Sequence, residues 1–144
     1  ALFGIIDEVA EKNWEIHLGD MSSENGSDPW QKGSNHHAGH GHKGNRKGLD
    51  IDFRYLNKSG ISFHGKHSSS IFDKSKNKVI FQLAYKYGFR KNYCTNASSV
   101  FGEKILGIVE GVGGHEDHGH IGLTNIDIQN ITKEDILKFK IINQ

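Results

Sequence analysis

The stretch GHKGNRKGLDIDFRYL, Gly41 to Leu56, joins a glycine-punctuated polar segment to a run that alternates strictly. Successive side chains of an extended chain point to opposite faces. Leu49, Ile51, Phe53 and Tyr55 therefore share one face, and Asp50, Asp52, Arg54 and Leu56 the other. The pattern predicts a half-buried strand whose apolar face enters the core. The opposite face then displays two carboxylates and a guanidinium.

A second stretch offers the matching half. In HEDHGHIGL (115–123), His118, His120 and Gly122 share a face if the chain is extended, and Gly119, Ile121 and Leu123 share the other. Should the two strands be sheet neighbours, Asp50, Asp52, His118 and His120 converge. Imidazole nitrogen with carboxylate oxygen is a donor set that suits zinc, whose catalytic sites keep three protein ligands and an open fourth position. Such a metal activates water and polarises a carbonyl, and a nearby histidine can move the proton. The competing reading is solvated loop histidines, with Asp50 paired to Arg54 or Arg46 instead of supporting a ligand histidine.

Working outward, Leu2, Ile5, Ile6, Val9 and Ala10 recur at helical spacing, predicting an amphipathic helix over 2–12. NWEIHLG (13–19) alternates Trp14, Ile16 and Leu18 against Glu15 and His17, which predicts a strand. From Asp20 to Lys47 nothing is periodic, and a loop of that length inside a domain is usually functional. Residues 56–77 read as turn and loop. KNKVIFQLAYKYGF (76–89) reads as a helix stopped at Gly88. EKILGIVEGV (103–112) reads as a strand, and NITKEDILKFKI (130–141), with Thr132 and Asp135 in capping positions, as a short helix. The sum is an α+β class, a single domain over 1–144. A small central antiparallel sheet is flanked by helices and long loops, with a zinc site on one sheet face.

Composition narrows the partners. Lys plus Arg number 18 and Asp plus Glu 17, a balance that removes the electrostatic case for nucleic acid. No apolar run reaches the ~18 residues of a membrane span, and the start, with charge at Asp7 and no basic leader, does not read as a signal peptide. The single cysteine, Cys94, forms no intramolecular disulfide and reads as a buried small hydrophobe. Of ten histidines, seven fall in two clusters, 36–42 and 115–120. His36, His37, His40 and His42 could be ligands, donors behind ligands, or a metal-scavenging tract.

These residues resemble a known group, the metallopeptidases that unite lysostaphin-type enzymes, D-alanyl-D-alanine peptidases and the hedgehog amino-terminal domain. The chain is most similar to the penicillin-insensitive murein endopeptidases. GHKGNRKGLDID (41–52) matches their first motif, Gly-His-x-x-His-x-x-Gly-x-Asp-x-Asp, apart from Asn45. HEDHGHI (115–121) matches their His-x-x-His-x-His motif, and GDMSSENG (19–26) looks like the segment that precedes the first.

The resemblance implies a zinc-dependent endopeptidase acting on peptidoglycan peptides, periplasmic or extracellular. Its metal is held by Asp52, His120 and a third ligand. His118 assists the attacking water, and His115 and His42 line the site. Asp50 would hydrogen-bond a ligand histidine and fix its tautomer. Substrate would lie along 20–47. The third ligand position falls on Asn45, whose neutral amide oxygen is a weaker zinc donor than imidazole.

Three accounts of Asn45 stay open. His42 or His40 supplies the nitrogen, which Gly39, Gly41 and Gly44 permit and which we favour. Alternatively Asn45 marks a catalytically impaired, wall- or partner-binding domain, or the loop aligns with an offset.

Overall fold

Two antiparallel strands sit where the alternating runs placed them. The computed structural model describes residues 1–19 and 49–123. Among these the class is α+β: α1 (Leu2–Glu11), β1 (Asp50–Arg54), α2 (Lys74–Lys86), α3 (Ala97–Phe101) and β2 (His118–Gly122). β1 and β2 form a two-stranded antiparallel sheet in the register Asp50↔Gly122, Asp52↔His120, Arg54↔His118. Isolated bridges extend the pairing outward on both sides, Leu18 against Phe53 and Tyr93 against His120. The loop expected over 20–47, with His36, His37, His40, His42, Asn45 and Arg46, and the helix expected over 130–141 lie outside the described residues.

The core lies on the apolar face of this sheet. Ile51, Phe53 and Tyr55 from the first strand segment and Ile121 from β2 meet Ile5 and Val9 of α1, and Ile80, Phe81 and Ala84 of α2. Burying each such large apolar side chain is worth roughly 1.5–3 kcal/mol. Phe53 packs edge-on to Phe81 with centroids 5.4 Å apart, and Phe81 in turn to Phe101 at 5.9 Å, a favoured aromatic geometry. Leu56, placed by parity with the carboxylates, is also fully buried because the strand ends at Arg54 and the chain turns into a bridge with Ser62.

α2 is pinned at both ends. Asp73 caps it, its Oδ1 accepting from Lys76 N at 2.8 Å. Gly88, at φ +97°, ends it in the left-handed conformation that glycine adopts without strain. Asn77, fully buried, ties this helix to the end of the β1 segment. Its Oδ1 accepts from Leu56 N at 2.8 Å, and its Nδ2 donates to Leu56 O and to Asp73 O, each at 2.8 Å. The helix therefore begins at Lys74, inside the stretch read as loop.

Two strand expectations are corrected. Residues 13–19 make only single bridges, Glu15 with Ile61 and Leu18 with Phe53. Residues 103–112 form a turn with one bridge, Ile108 to Asn92. Gly107 breaks that run: its φ is +84°, and a Cβ there would press on Asn92 and Tyr85. α3, five residues between Asn96 and Gly102, is too short for periodicity to announce. No helix among the described residues is long and apolar enough to cross a membrane.

Candidate functional site

The register of β1 and β2 decides which polar groups meet. Asp52 and His120 are directly opposed, and His120 Nδ1 lies 3.1 Å from Asp52 Oδ1. The other nitrogen of the same ring, Nε2, lies 3.1 Å from Asp50 Oδ1. His120 thus sits between two carboxylates, and its side chain and that of Asp50 are only 7% and 2% exposed. Burial by itself would push the His120 pKa down, but the hydrogen bonds and charges of Asp50 and Asp52 outweigh it and hold it above the usual value.

His118, two residues earlier, shares the strand with His120 but is more open, with 22% of its side chain exposed. Its Nε2 lies 3.7 Å from Asp52 Oδ2. Its Nδ1 lies 2.9 Å from Asp117 Oδ1, and the second oxygen of Asp117 takes Arg54 Nη1 at 2.5 Å. Burial raises the Asp117 carboxyl, yet the bonds from His118 and Arg54 prevail and keep it below the ordinary value. Arg54 is committed to Asp117, so it is not the ion-pair partner that the alternative reading gave Asp50.

His115 completes a ring cluster, its centroid 5.0 Å from that of His118 and 5.8 Å from that of His120. Its Nδ1 is 2.9 Å from the Gly113 carbonyl. A carbonyl only accepts, so Nδ1 carries the proton and Nε2 the lone pair. Burial, then the neighbouring His118 and His120, lower its pKa, favouring this neutral ring. Its backbone is held from the core. Tyr55 Oη donates to His115 O at 2.8 Å and sits 3.2 Å from Cys94 Sγ. Cys94 is buried and unpaired with any other cysteine, in keeping with its expected role as a small core residue.

Tyr93 is the residue that sequence reasoning missed. Its ring lies 4.7 Å from His120 and 5.3 Å from His115, and its backbone exchanges two hydrogen bonds with His120, at 2.9 and 3.0 Å. Nothing periodic surrounds it, so only the tertiary pairing reveals it. Asp117 was visible within the motif, but its link to Arg54 depends on the strand register. The concavity lined by Gln82, Tyr85, Glu103, Lys104, Ile105 and Leu106 contains none of these groups.

As donors for a metal, Asp52 and His120 are adjacent and of the right chemistry, carboxylate oxygen and imidazole nitrogen. His120 would present Nδ1 on the Asp52 side while Nε2–H donates to Asp50, the arrangement that fixes a ligand tautomer. The third position expected from sequence, His42 or Asn45, lies outside the described residues. No group of three or more His, Cys, Asp or Glu side chains is arranged to hold a metal among the described residues. No protein-family model matches the chain, and neither a curated protein nor a solved structure matches it.

Proposed function

We propose that the chain is a zinc-dependent peptidoglycan endopeptidase that hydrolyses amide bonds in cell-wall peptides, acting in the periplasm or outside the cell where that substrate lies. The observation that carries the reading is the convergence of Asp52, His120 and His118 across one antiparallel pair, with His115 alongside. The likeness of the two motifs to murein endopeptidases supplies the substrate class. Asp52 and His120 would hold the zinc with a third ligand from His42 or Asn45. A bound zinc supplies Lewis acidity toward water and the scissile carbonyl.

The remaining work falls to the chain. His118, the more exposed ring, takes a proton at Nε2 and returns it to the leaving amine. His115, neutral with its lone pair on Nε2, accepts a hydrogen bond from water or from the substrate amide. Tyr93 fixes the planes of His115 and His120 by packing against both. With zinc on the Asp52 side of His120, Asp50 would accept from Nε2–H and hold the ring in that tautomer.

The test is digestion of purified sacculi by the zinc-loaded chain, with soluble muropeptides as the readout. Release that stops on chelation and on His118→Ala supports the reading. A second reading follows from Asn45: a wall- or partner-binding module on the same scaffold. It is favoured if the native chain binds sacculi without releasing muropeptides while Asn45→His releases them.

A further inference from the structure

We infer that Asp117, anchored by Arg54, is a positioning residue that holds His118 in the Nδ1–H tautomer and so leaves the lone pair on Nε2, beside Asp52. The inference rests on the proposed peptidase reading for its catalytic consequence, though not for its structural one. Both oxygens of the Asp117 carboxylate are used, Oδ1 at 2.9 Å from His118 Nδ1 and Oδ2 at 2.5 Å from Arg54 Nη1. A carboxylate accepts only, and a guanidinium donates only. The proton must then lie on Nδ1 of His118. An unconstrained neutral imidazole prefers the opposite tautomer, so the preference has to be imposed.

The strand register builds this arrangement. Arg54 and His118 are cross-strand partners, and Asp117 immediately precedes β2, so one carboxylate reaches both. Stability is a poor explanation for the pair. Arg54 and Asp117 side chains are 34% and 46% exposed, and exposed ion pairs contribute little. The same logic operates in serine proteases, where a carboxylate holds the catalytic imidazole in one tautomer and its conversion to the amide reverses it.

Arg54 makes the corresponding substitution decisive here. In Asp117→Asn the guanidinium, a donor, must take the amide oxygen. The amide NH2 is then turned toward His118 Nδ1, which can only accept from it, and the proton moves to Nε2. Removing Arg54 as well frees the amide to rotate.

The experiment uses the full chain with 15N-labelled imidazoles, metal-free and zinc-loaded, at a pH where the His118 ring is neutral. Long-range proton–nitrogen correlations report the tautomer. The expected result is Nδ1–H in the unaltered chain and Nε2–H in Asp117→Asn. The Nδ1–H form should return in part in Asp117→Asn combined with Arg54→Met. On a soluble cross-linked muropeptide, kcat of Asp117→Asn should fall about 100-fold or more with KM little changed, the scale of lost proton-transfer catalysis. An Nε2–H ring in the unaltered chain, or Nδ1–H retained in Asp117→Asn, overturns the inference. If the unaltered chain and Asn45→His both leave the muropeptide intact, the peptidase reading fails, while the tautomer comparison still decides the role of Asp117.

Discussion

Replacing Gly119 with alanine tests whether the packing of the core sets the geometry of the site. Gly119 lies between His118 and His120 on β2, directly opposite Phe53. A Cβ built there falls 2.6 Å from Phe53 Cε1 and 2.9 Å from Phe81 Cζ, well inside van der Waals contact. Neither ring has room to retreat. Phe53 and Phe81 are both fully buried, they pack on each other at 5.4 Å, and Phe53 is also edge-on to Tyr55 at 6.1 Å.

Two effects oppose each other. Losing a glycine from a strand interior gains about 0.5–1 kcal/mol of chain entropy. Forcing a methyl into a filled core costs about 1–3 kcal/mol. Contacts this short with two buried rings put the cost in the upper half of that range, about 2–3 kcal/mol, so overpacking wins and the expected net loss is about 1–2.5 kcal/mol. At roughly 4 °C per kcal/mol for a chain of this size, the unfolding midpoint should fall by about 4–10 °C.

The assay is thermal and urea unfolding of Gly119→Ala, Phe53→Leu and the double variant, with amide shifts of Asp52 and His120 as the local readout. Phe53→Leu removes ring atoms nearest the new methyl, so the double variant should be more stable than the sum of the singles by at least about 1 kcal/mol. Additivity within about 0.5 kcal/mol, or a single variant as stable as the parent, refutes the claim that this contact is filled.

Four further outcomes follow from the same structure. Asn77→Ala strands the buried Leu56 N–H and removes two more hydrogen bonds, so urea unfolding should show a loss of about 3–5 kcal/mol. Asp73→Ala should cost about 1 kcal/mol near neutrality through the lost helix cap. Burial raises the Asp73 carboxyl, but Lys76 outweighs it and holds the pKa below normal. That contribution is therefore present above the unfolded carboxylate value of ~3.9 and is lost as pH falls through the lower folded value, where the two chains converge in stability. Cys94, buried and pushed up to about 11, should leave a thiol reagent unreacted at pH 8 in the native chain and consume it on unfolding, since only about one part in a thousand is thiolate. On the proposed zinc reading, Asp50→Asn should weaken zinc binding by about 10–100-fold in competition with a chromophoric chelator, and an unchanged affinity removes Asp50 from that role.

What could be read from the chain was what depends on local parity. The alternation at 49–55 fixed which side chains of β1 face the core, and helical spacing located α1 and most of α2. Local rules failed where a distant group overrides them. Residues 103–112 look like a strand by apolar content, yet Gly107 at positive φ turns the chain over Tyr85 and Asn92. The first turn of α2 was hidden in a Ser- and Lys-rich stretch because its justification is tertiary: Asn77 serves the backbone of Leu56, twenty-one residues earlier. Tyr93 has no sequence signature, since its position over His120 arises from a single bridge.

The site shows the same division, and the boundary falls at the register. Two pairs of polar residues at i and i+2 announce that each strand has a chemical face, but not which residues will oppose each other. A slip of one residue would turn His118 and His120 into the core. The observed register brings together Phe53 with Gly119, Asp52 with His120 and Arg54 with His118. Only the first of these pairs involves the core. Phe53 needs a partner without a side chain, and Gly119 is the only such residue flanked by two histidines in β2. Once that ring is seated over Gly119, Asp52 must meet His120, Arg54 must meet His118, and Asp117 is within reach of both Arg54 and His118. The apolar contact on one face therefore selects the polar contacts on the other. Any variant that moves Phe53 should disturb His118 and His120 together, however far its own atoms lie from the donors.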